Sequence, residues 1–206
     1  LEEFVRPILI WLLLGVMLFL GWHSCQPRRT APGVLIGAEP VQTAVPPGSP
    51  PLQIQGFTLH ALATYEISAR VLHKKRYFDE SCDLAPYDLA VGWGPMSDQR
   101  VLDQLEISQG NRFFFWRYEH QPPLPIPEII AHGANMHLIP ANQCLFWKIF
   151  WLHAGDLVRL RGMLVEADRP GFSPWRSSLS RTDSGNGACE LMFVQQIDRL
   201  PLPAAP

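Results

Sequence analysis

Residues 57–72 read FTLHALATYEISARVL, and the class of the fold turns on them. Alanine and leucine in this run favour a helix, while Phe57, Leu59, Leu62, Tyr65, Ile67 and Val71 give it the character of a strand. Read as strand, the run makes the chain β-rich, and the segments beyond it fall into place around it. LVRLRGMLVEA (157–167) alternates Leu157, Arg159 and Arg161 against Val158 and Leu160, the pattern of a strand with one wet face. NRFFFWRYE (111–119) is dense in aromatics and predicts a buried strand, stopped by the prolines of QPPLPIP. ACELMFVQQI (188–197) is the expected closing strand.

Two helices are expected among these strands. SDQRVLDQLEI (97–107) opens on Ser97 as N-cap and repeats apolar residues at Val101, Leu102 and Leu105. NQCLFWKIFWL (142–152) is the second, followed by a turn at Gly155-Asp156. With Gly162 as a kink, these elements predict an α+β domain over residues 57–206. Its plan is a small, mixed, partly open β-barrel-like fold with two or more helices, similar to OB-like or nuclease-like barrels. Such a plan carries no function by itself.

Upstream, residues 31–56 hold prolines at 32, 40, 46, 47, 50 and 51, which forbid a helix and predict a semi-rigid spacer. The apolar insert Val34–Gly37 is the part of it suited to packing on the domain. Before the spacer, no charged side chain occurs between Pro7 and Pro27, and Ile8–Trp22 (ILIWLLLGVMLFLGW) is almost wholly apolar. About 20 residues at 1.5 Å rise cross a hydrocarbon core, so residues 1–30 are expected to carry a transmembrane helix. No small-x-small cleavage site follows the run, which favours a signal anchor over a cleaved signal peptide. Bulky Trp22 and His23 ahead of Ser24-Cys25 argue against a lipoprotein signal, and Trp11 and Trp22 suit the two interfaces of the span. Arg28 and Arg29 against Arg6 run mildly counter to an outward domain. A short anchor followed by a Pro-rich spacer nonetheless predicts a single-pass protein of the inner (plasma) membrane with its domain in the periplasm. The bilayer is then a partner through the N-terminal helix, and an envelope protein is a further candidate.

Composition narrows the classes. The chain of 206 residues is 47% hydrophobic with 7 Trp, which excludes disorder as a whole-chain state despite 20 Pro. Its net charge of −2 leaves no nucleic-acid footprint, and the one basic run, His73-Lys74-Lys75-Arg76, reads as a solvated turn or strand end. Cys25, Cys82, Cys144 and Cys189 form no CxxC pair, which disfavours a thiolate metal site. No motif calls for a cofactor.

Three polar stretches hold the candidate site residues. In GWGPMSD (92–98) two glycines flank Trp93, and Asp98 stands at a helix start; Trp93 and Asp98 are ligand-loop candidates against a structural role for the same loop. AHGANMHLIPA (131–141) gathers His132, Asn135 and His137, residues able to move protons or orient an oxyanion, at a spacing that fits no helical or strand metal pair. WRSSLSRTDSGNGACE (175–190) brings Ser178, Arg181, Asp183 and Cys189. A Cys189 thiolate would need His132 or His137 as base, oriented by Asp183 or Asn135. The alternative is a hairpin with SGNG as its turn and Cys189 as a buried small residue.

Together with the PPGVL-like linker, here APGVL (31–35), the segments WGPMSD, ANMHLIPA and SSLSRTDSGNGACE resemble uncharacterised bacterial membrane-anchored proteins, and the resemblance covers most of the chain after residue 31. It implies the topology and a single domain, and brings no activity, cofactor or catalytic residue with it. Three functions stay open. The first is a tethered binding or scaffold domain, expected to expose aromatic surface near Trp93, Trp116 or Trp175. The second is a hydrolase or transferase built on His132, His137, Asp183 and Cys189. The third is a divalent-metal site on the two histidines and a carboxylate.

Overall fold

The computed structural model describes residues 28–202 together with Trp11 and Gly15. The apolar run expected to cross a membrane lies outside them, apart from those two positions. Among the described residues no helix is long and apolar enough to span a bilayer.

Residues 57–76 form one 20-residue strand, β3, which settles the ambiguous run in favour of β structure. Phe57, Leu59, Tyr65, Ile67, Ala69 and Val71 are all buried, a spacing of two that a helix would scatter over both its faces. The N-terminal part of β3 pairs antiparallel with β8 (Leu157–Arg169), from Thr58 opposite Asp168 to Arg70 opposite Leu157. From Arg70 to Arg76 it pairs with β4 (Tyr87–Gly92) instead. β4 pairs with β7 (Gly133–Pro140), β7 runs parallel to β10 (Glu190–Leu200), and β10 returns antiparallel to β8. The result is a partly ring-like sheet and not a closed barrel, with three further strands hung on it. β1 (Val41–Ala44) and β2 (Leu52–Ile54) add to β3, and β9 (Phe172–Arg176) adds to β8.

Gly162 makes part of the curvature possible. A Cβ there would stand 2.0 Å from the Phe193 carbonyl oxygen, opposite an irregularity in β10 between Val194 and Gln196. Inside the ring, Tyr65, Ile67, Leu89, Met136, Leu160 and Met192 share one core with Leu145 and Ile149, which come from the helix that closes it. That helix is Gln143–Phe150, here α3, and its Asn142 cap accepts from the Leu145 amide at 3.0 Å.

Several expectations need correction. The helix expected over 97–107 shrinks to a 3₁₀ turn, Gly94–Ser97, and the four-residue α1, Gln99–Leu102. Its cap is Asp98 rather than Ser97, and from Glu106 the chain straightens to form β5 (Glu106–Gly110). β5 pairs only with β6 (Phe113–Arg117), so the aromatic segment is half-exposed instead of buried, with Phe115 47% accessible. A short α2 (Ile126–Ala131) starts among the prolines, where Pro at the first turn needs no amide partner. SGNG turns no hairpin: β9 is the hairpin partner of β8, and residues 177–189 loop over to β10. The basic run is a strand end whose cations are engaged; Lys75 donates to the Gln109 carbonyl (3.0 Å) and Lys74 to the last carbonyls of α3.

The Pro-rich stretch is not separate from the domain. Arg28 to Glu39 runs as a strap along the Trp93 loop, and Ile36 is buried in the main core.

Candidate functional site

The candidates fall into four groups, and the fold brings only some of them together. Alternation along β4 and β7 sends Tyr87, Leu89, Met136 and Leu138 into the ring and turns Asp88, Asn135 and His137 to the outer face. There His137 Nδ1 stands 2.9 Å from Asp88 Oδ1, with the residues 3% and 0% exposed. The contact is close in distance but poorly directed, so His137 Nδ1 makes no aligned hydrogen bond, and Asp88 Oδ2 has no partner within the protein. Arg112, at the tip of the β5–β6 hairpin, inserts its guanidinium over this pair. It bonds Asp88 at 2.8 Å, the Ala85 carbonyl at 2.9 Å and Asp79 at 3.1 Å, and it lies 3.9 Å from the Tyr77 ring centroid. The Trp175 ring covers His137 at 4.6 Å.

Asn135 and Cys189 belong to the same network. The Asn135 amide donates to the Arg112 carbonyl (2.9 Å) and lies 3.6 Å from Cys189 Sγ, while its oxygen accepts from Gln109 at 2.5 Å. Gln109 in turn faces His73 at 2.9 Å. Burial pushes the Cys189 thiol up to about 11, with the Asn135 contact opposing and Glu190 adding to the rise. A thiol of that kind is protonated at neutral pH and is a poor nucleophile.

The second group forms where β10 begins. Glu190 points to the inner side of β10, like Met192 and Val194, at the end of the ring occupied by Tyr65. Burial pushes its carboxyl up to about 8, outweighing the nearby Arg181 guanidinium, which lies 3.3 Å away and pulls the other way. Arg181 also sits 4.7 Å from the Tyr65 ring, whose hydroxyl is raised by burial and by Glu190. Ser178 donates to Asp183 at 2.6 Å in the loop above. Ser178, Arg181 and Asp183 are thus neighbours, yet Asp183 orients no histidine.

In the third group, the Trp93 loop is occupied by the chain itself. Ser97 Oγ accepts from the Leu35 and Ile36 amides at 3.0 and 3.1 Å, and Asp98 accepts from Gly33 at 2.9 Å. Gln99 accepts from Thr30 at 3.1 Å, and Trp93 donates to Glu39 at 2.8 Å. Buried Arg70 completes the seat by bonding the Arg28 carbonyl at 3.0 Å. Trp93 and Asp98, expected as ligand-loop residues, therefore hold the strap. His132, the fourth, adjoins this strap seat and not the His137 cluster: it lies beside Glu39 (3.4 Å), Glu128 (3.3 Å) and Trp93, away from the partners of His137.

Among the described residues no group of three or more His, Cys, Asp or Glu is placed to hold a metal ion. The histidine-carboxylate metal site expected as an alternative thus finds no geometry there, and the Cys–His–Asp set does not assemble. The expected aromatic surface is found near Trp116, where Tyr118 stacks on it at 6.3 Å and Phe115 and Tyr118 are exposed, but not at Trp93. Trp93 is fully buried, whereas Phe78, Phe115, Tyr118, Trp147 and Trp151 are exposed rings among residues 28–202. Two open clefts flank the last three, one of about 930 Å³ between Asp103–Glu106 and Arg117–Gln121, and one of about 580 Å³ beside Trp147 and Trp151.

Sequence reasoning missed Asp88, Arg112 and Glu190. Two of them carried a signal, since Asp88 in YDLAVG and Glu190 in ELMFV are lone acids inside apolar strands. Nothing local marks Arg112. No family model, no curated protein and no solved structure matches the chain.

Proposed function

We propose that the chain is a single-pass, membrane-tethered domain of the cell envelope that binds or scaffolds a partner on the periplasmic side. The apolar run Ile8–Trp22 serves as its anchor. One observation carries this reading: the strap from Arg28 to Glu39 is stitched into the fold by Ser97, Asp98, Gln99 and Arg70, so from Arg28 onward the chain below the apolar run is part of the domain. The polar residues that suggested catalysis support it from the other side, because Asn135 and His137 are engaged in a buried network, His132 and Asp183 have other partners, and Cys189 is held as a neutral thiol.

Alkaline extraction of membranes tests the anchor, and protease access in spheroplasts tests the side. The full chain stays with the membrane, and protease added outside removes the domain; release into the supernatant, or protection of the domain, refutes the reading. Folded Cys189→Ala and His137→Asn variants complement a deletion strain, whereas a nucleophilic role for Cys189 requires loss of complementation at unchanged melting temperature.

Glu190 favours a second reading. A carboxyl that keeps its proton near neutrality, with Oε2 lacking a protein partner and Arg181, Ser178 and Asp183 above it, has the makings of a general acid in a hydrolase or transferase. Glu190→Gln separates the two: a scaffold tolerates it, and an acid catalyst does not.

A further inference from the structure

Two tryptophans of α3 turn away from the core. Trp147 and Trp151 are 48% and 59% exposed and stand one helical turn apart. Phe146 and Phe150, which pack against the core, support them edge-on, with successive ring centroids from Phe146 to Trp151 5.3, 5.3 and 4.9 Å apart. The cleft of about 580 Å³ beside them has Leu152 and Ile197 in its lining and Lys148 and Arg199 among its polar residues.

The position of this face relative to the chain's own start indicates what it meets. The Arg28 amide donates to the Ala154 carbonyl at 2.8 Å, three residues beyond Trp151. Arg28 Nε lies 3.2 Å from one oxygen of Asp156, and Arg199 lies 3.4 Å from the other while also donating to the Trp151 carbonyl. The start of the strap and the rim of the aromatic cleft thus share one buried carboxylate. Six residues separate Trp22, the end of the apolar run, from Arg28, and a fully extended chain of that length reaches roughly 20 Å. If Ile8–Trp22 crosses the bilayer, this face of the domain stays within that distance of the span's end.

We propose that the Trp147–Trp151 face of α3, with Arg28, Arg29, Lys148 and Arg199 around it, lies in the headgroup region of the same bilayer; this rests on the tether reading above. Indole rings prefer that depth, where the apolar ring is shielded and the N–H stays wet. The arginines are already paired within the protein, Arg28 and Arg199 with Asp156 and Arg29 with Asp103, yet they remain 49%, 44% and 77% exposed and free to face lipid phosphate. Asp198, the acid of the cleft, turns toward Arg161 (4.0 Å) and Gln196 (2.7 Å). Tether and face together give two membrane signals, which fix the domain's orientation where one leaves it free to rotate.

The test uses the full chain in phosphatidylcholine–phosphatidylglycerol liposomes, with and without lipids brominated near the headgroup, against a Trp147→Ser/Trp151→Ser variant. Both substituted positions are exposed, and thermal melting checks that the fold is kept. The expected result is that both chains float with the liposomes and that the bromolipid-quenched share of tryptophan emission drops in the variant. Equal quenching in the two, with both floating, overturns the face assignment and leaves the tether standing. Failure of the unmodified chain to float overturns both. Cys144 lies on the same cleft, so an efficient Cys144–Cys144 crosslink between chains in the liposomes, abolished by Cys144→Ser, shows a second copy on this face and overturns the lipid assignment.

Discussion

Arg112 joins the β5–β6 hairpin to the buried network, and its substitution tests the reading of that network. The hairpin tip is a two-residue turn in which Asn111 and Arg112 both adopt positive φ, 50° and 67°. Asn tolerates that region, whereas Arg in it costs about 1 kcal/mol, so local conformation alone does not choose Arg here. Its guanidinium compensates by bonding Asp88, Asp79, Ser81 and the Ala85 carbonyl, with the side chain 15% exposed and Asp88 fully buried. Arg112→Ala leaves the Asp88 carboxylate buried beside a single poorly aligned imidazole, a change that costs roughly 3–5 kcal/mol. At about 2–4 °C per kcal/mol for a domain of this size, the melting temperature falls by roughly 6–20 °C. Arg112→Gly loses the same contacts but relieves the backbone, so it retains about 1 kcal/mol more stability than Ala. Adding Asp88→Asn to Arg112→Ala recovers part of the loss, because the uncompensated charge goes with it. Thermal and urea unfolding of the four chains measures these differences. A loss below about 1 kcal/mol for Arg112→Ala, or Ala surviving better than Gly, refutes the reasoning.

Three further outcomes follow from the same geometry. Glu190 is held at about 8 when folded against 4.5 as its ordinary value, so the folded state binds its proton more tightly; the resulting stability is full below pH 4.5 and is lost as pH rises toward 8. The loss is on the order of 5 kcal/mol, and a stability–pH curve for Glu190→Gln that keeps the same slope between those values contradicts it. Ser97→Ala removes the acceptor of the Leu35 and Ile36 amides and costs about 1–3 kcal/mol. Hydrogen exchange at those two amides accelerates, and unchanged protection there contradicts the role given to Ser97. Cys189, part-buried with its thiol raised to about 11, reacts with iodoacetamide at pH 8 far more slowly than exposed Cys144; mass spectrometry of the alkylated full chain reads the order, and equal rates refute it.

Local chemistry in the sequence announced those elements whose causes are local. The alternation of β8, the helix begun near Asn142 and the glycine kink at Gly162 each depend on residues within a few positions of one another, and each is found. The long helix at 97–107 failed because its second half has a stronger alternative: Glu106–Gly110 pairs with the aromatic strand across a two-residue turn. The parallel pairing of β7 with β10, residues 133–140 against 190–200, brings Cys189 to Asn135 and could not be read from either segment alone. The choice of residue types at the site was sound, since Asn135, His137, Cys189, Ser178, Arg181 and Asp183 all take part in buried or part-buried polar contacts. Their partners were misassigned, because Asp88 and Arg112 reach the cluster from strands and turns 71 residues or more from Asp183 in the chain.

The distribution of polar and aromatic groups also decides how the readings rank. A catalytic site needs reactive groups open to a cleft, yet here Asp88, Asn135, His137 and Glu190 are each at most 5% exposed and are sealed by the hairpin tip, Trp175 and the 177–189 loop. The hairpin packs Ile107, Phe114 and Trp116 on the small core of Leu72, Met96 and Ile129, and an isolated pair of strands without such support is marginal in water. The Arg112–Asp88 contact and the Gln109–Asn135 contact supply the attachment that pairing alone does not, on the outer face of the ring where apolar packing ends. The aromatic rings that a core of this size could have enclosed are instead outside, Phe115 and Tyr118 on the hairpin side and Trp147 and Trp151 on α3. Exposed aromatics cost the free chain solubility and are offset only when something covers them. The buried polar cluster and the exposed rings support the proposed binding reading over the catalytic one, and they make the two aromatic faces the surfaces to mutate first.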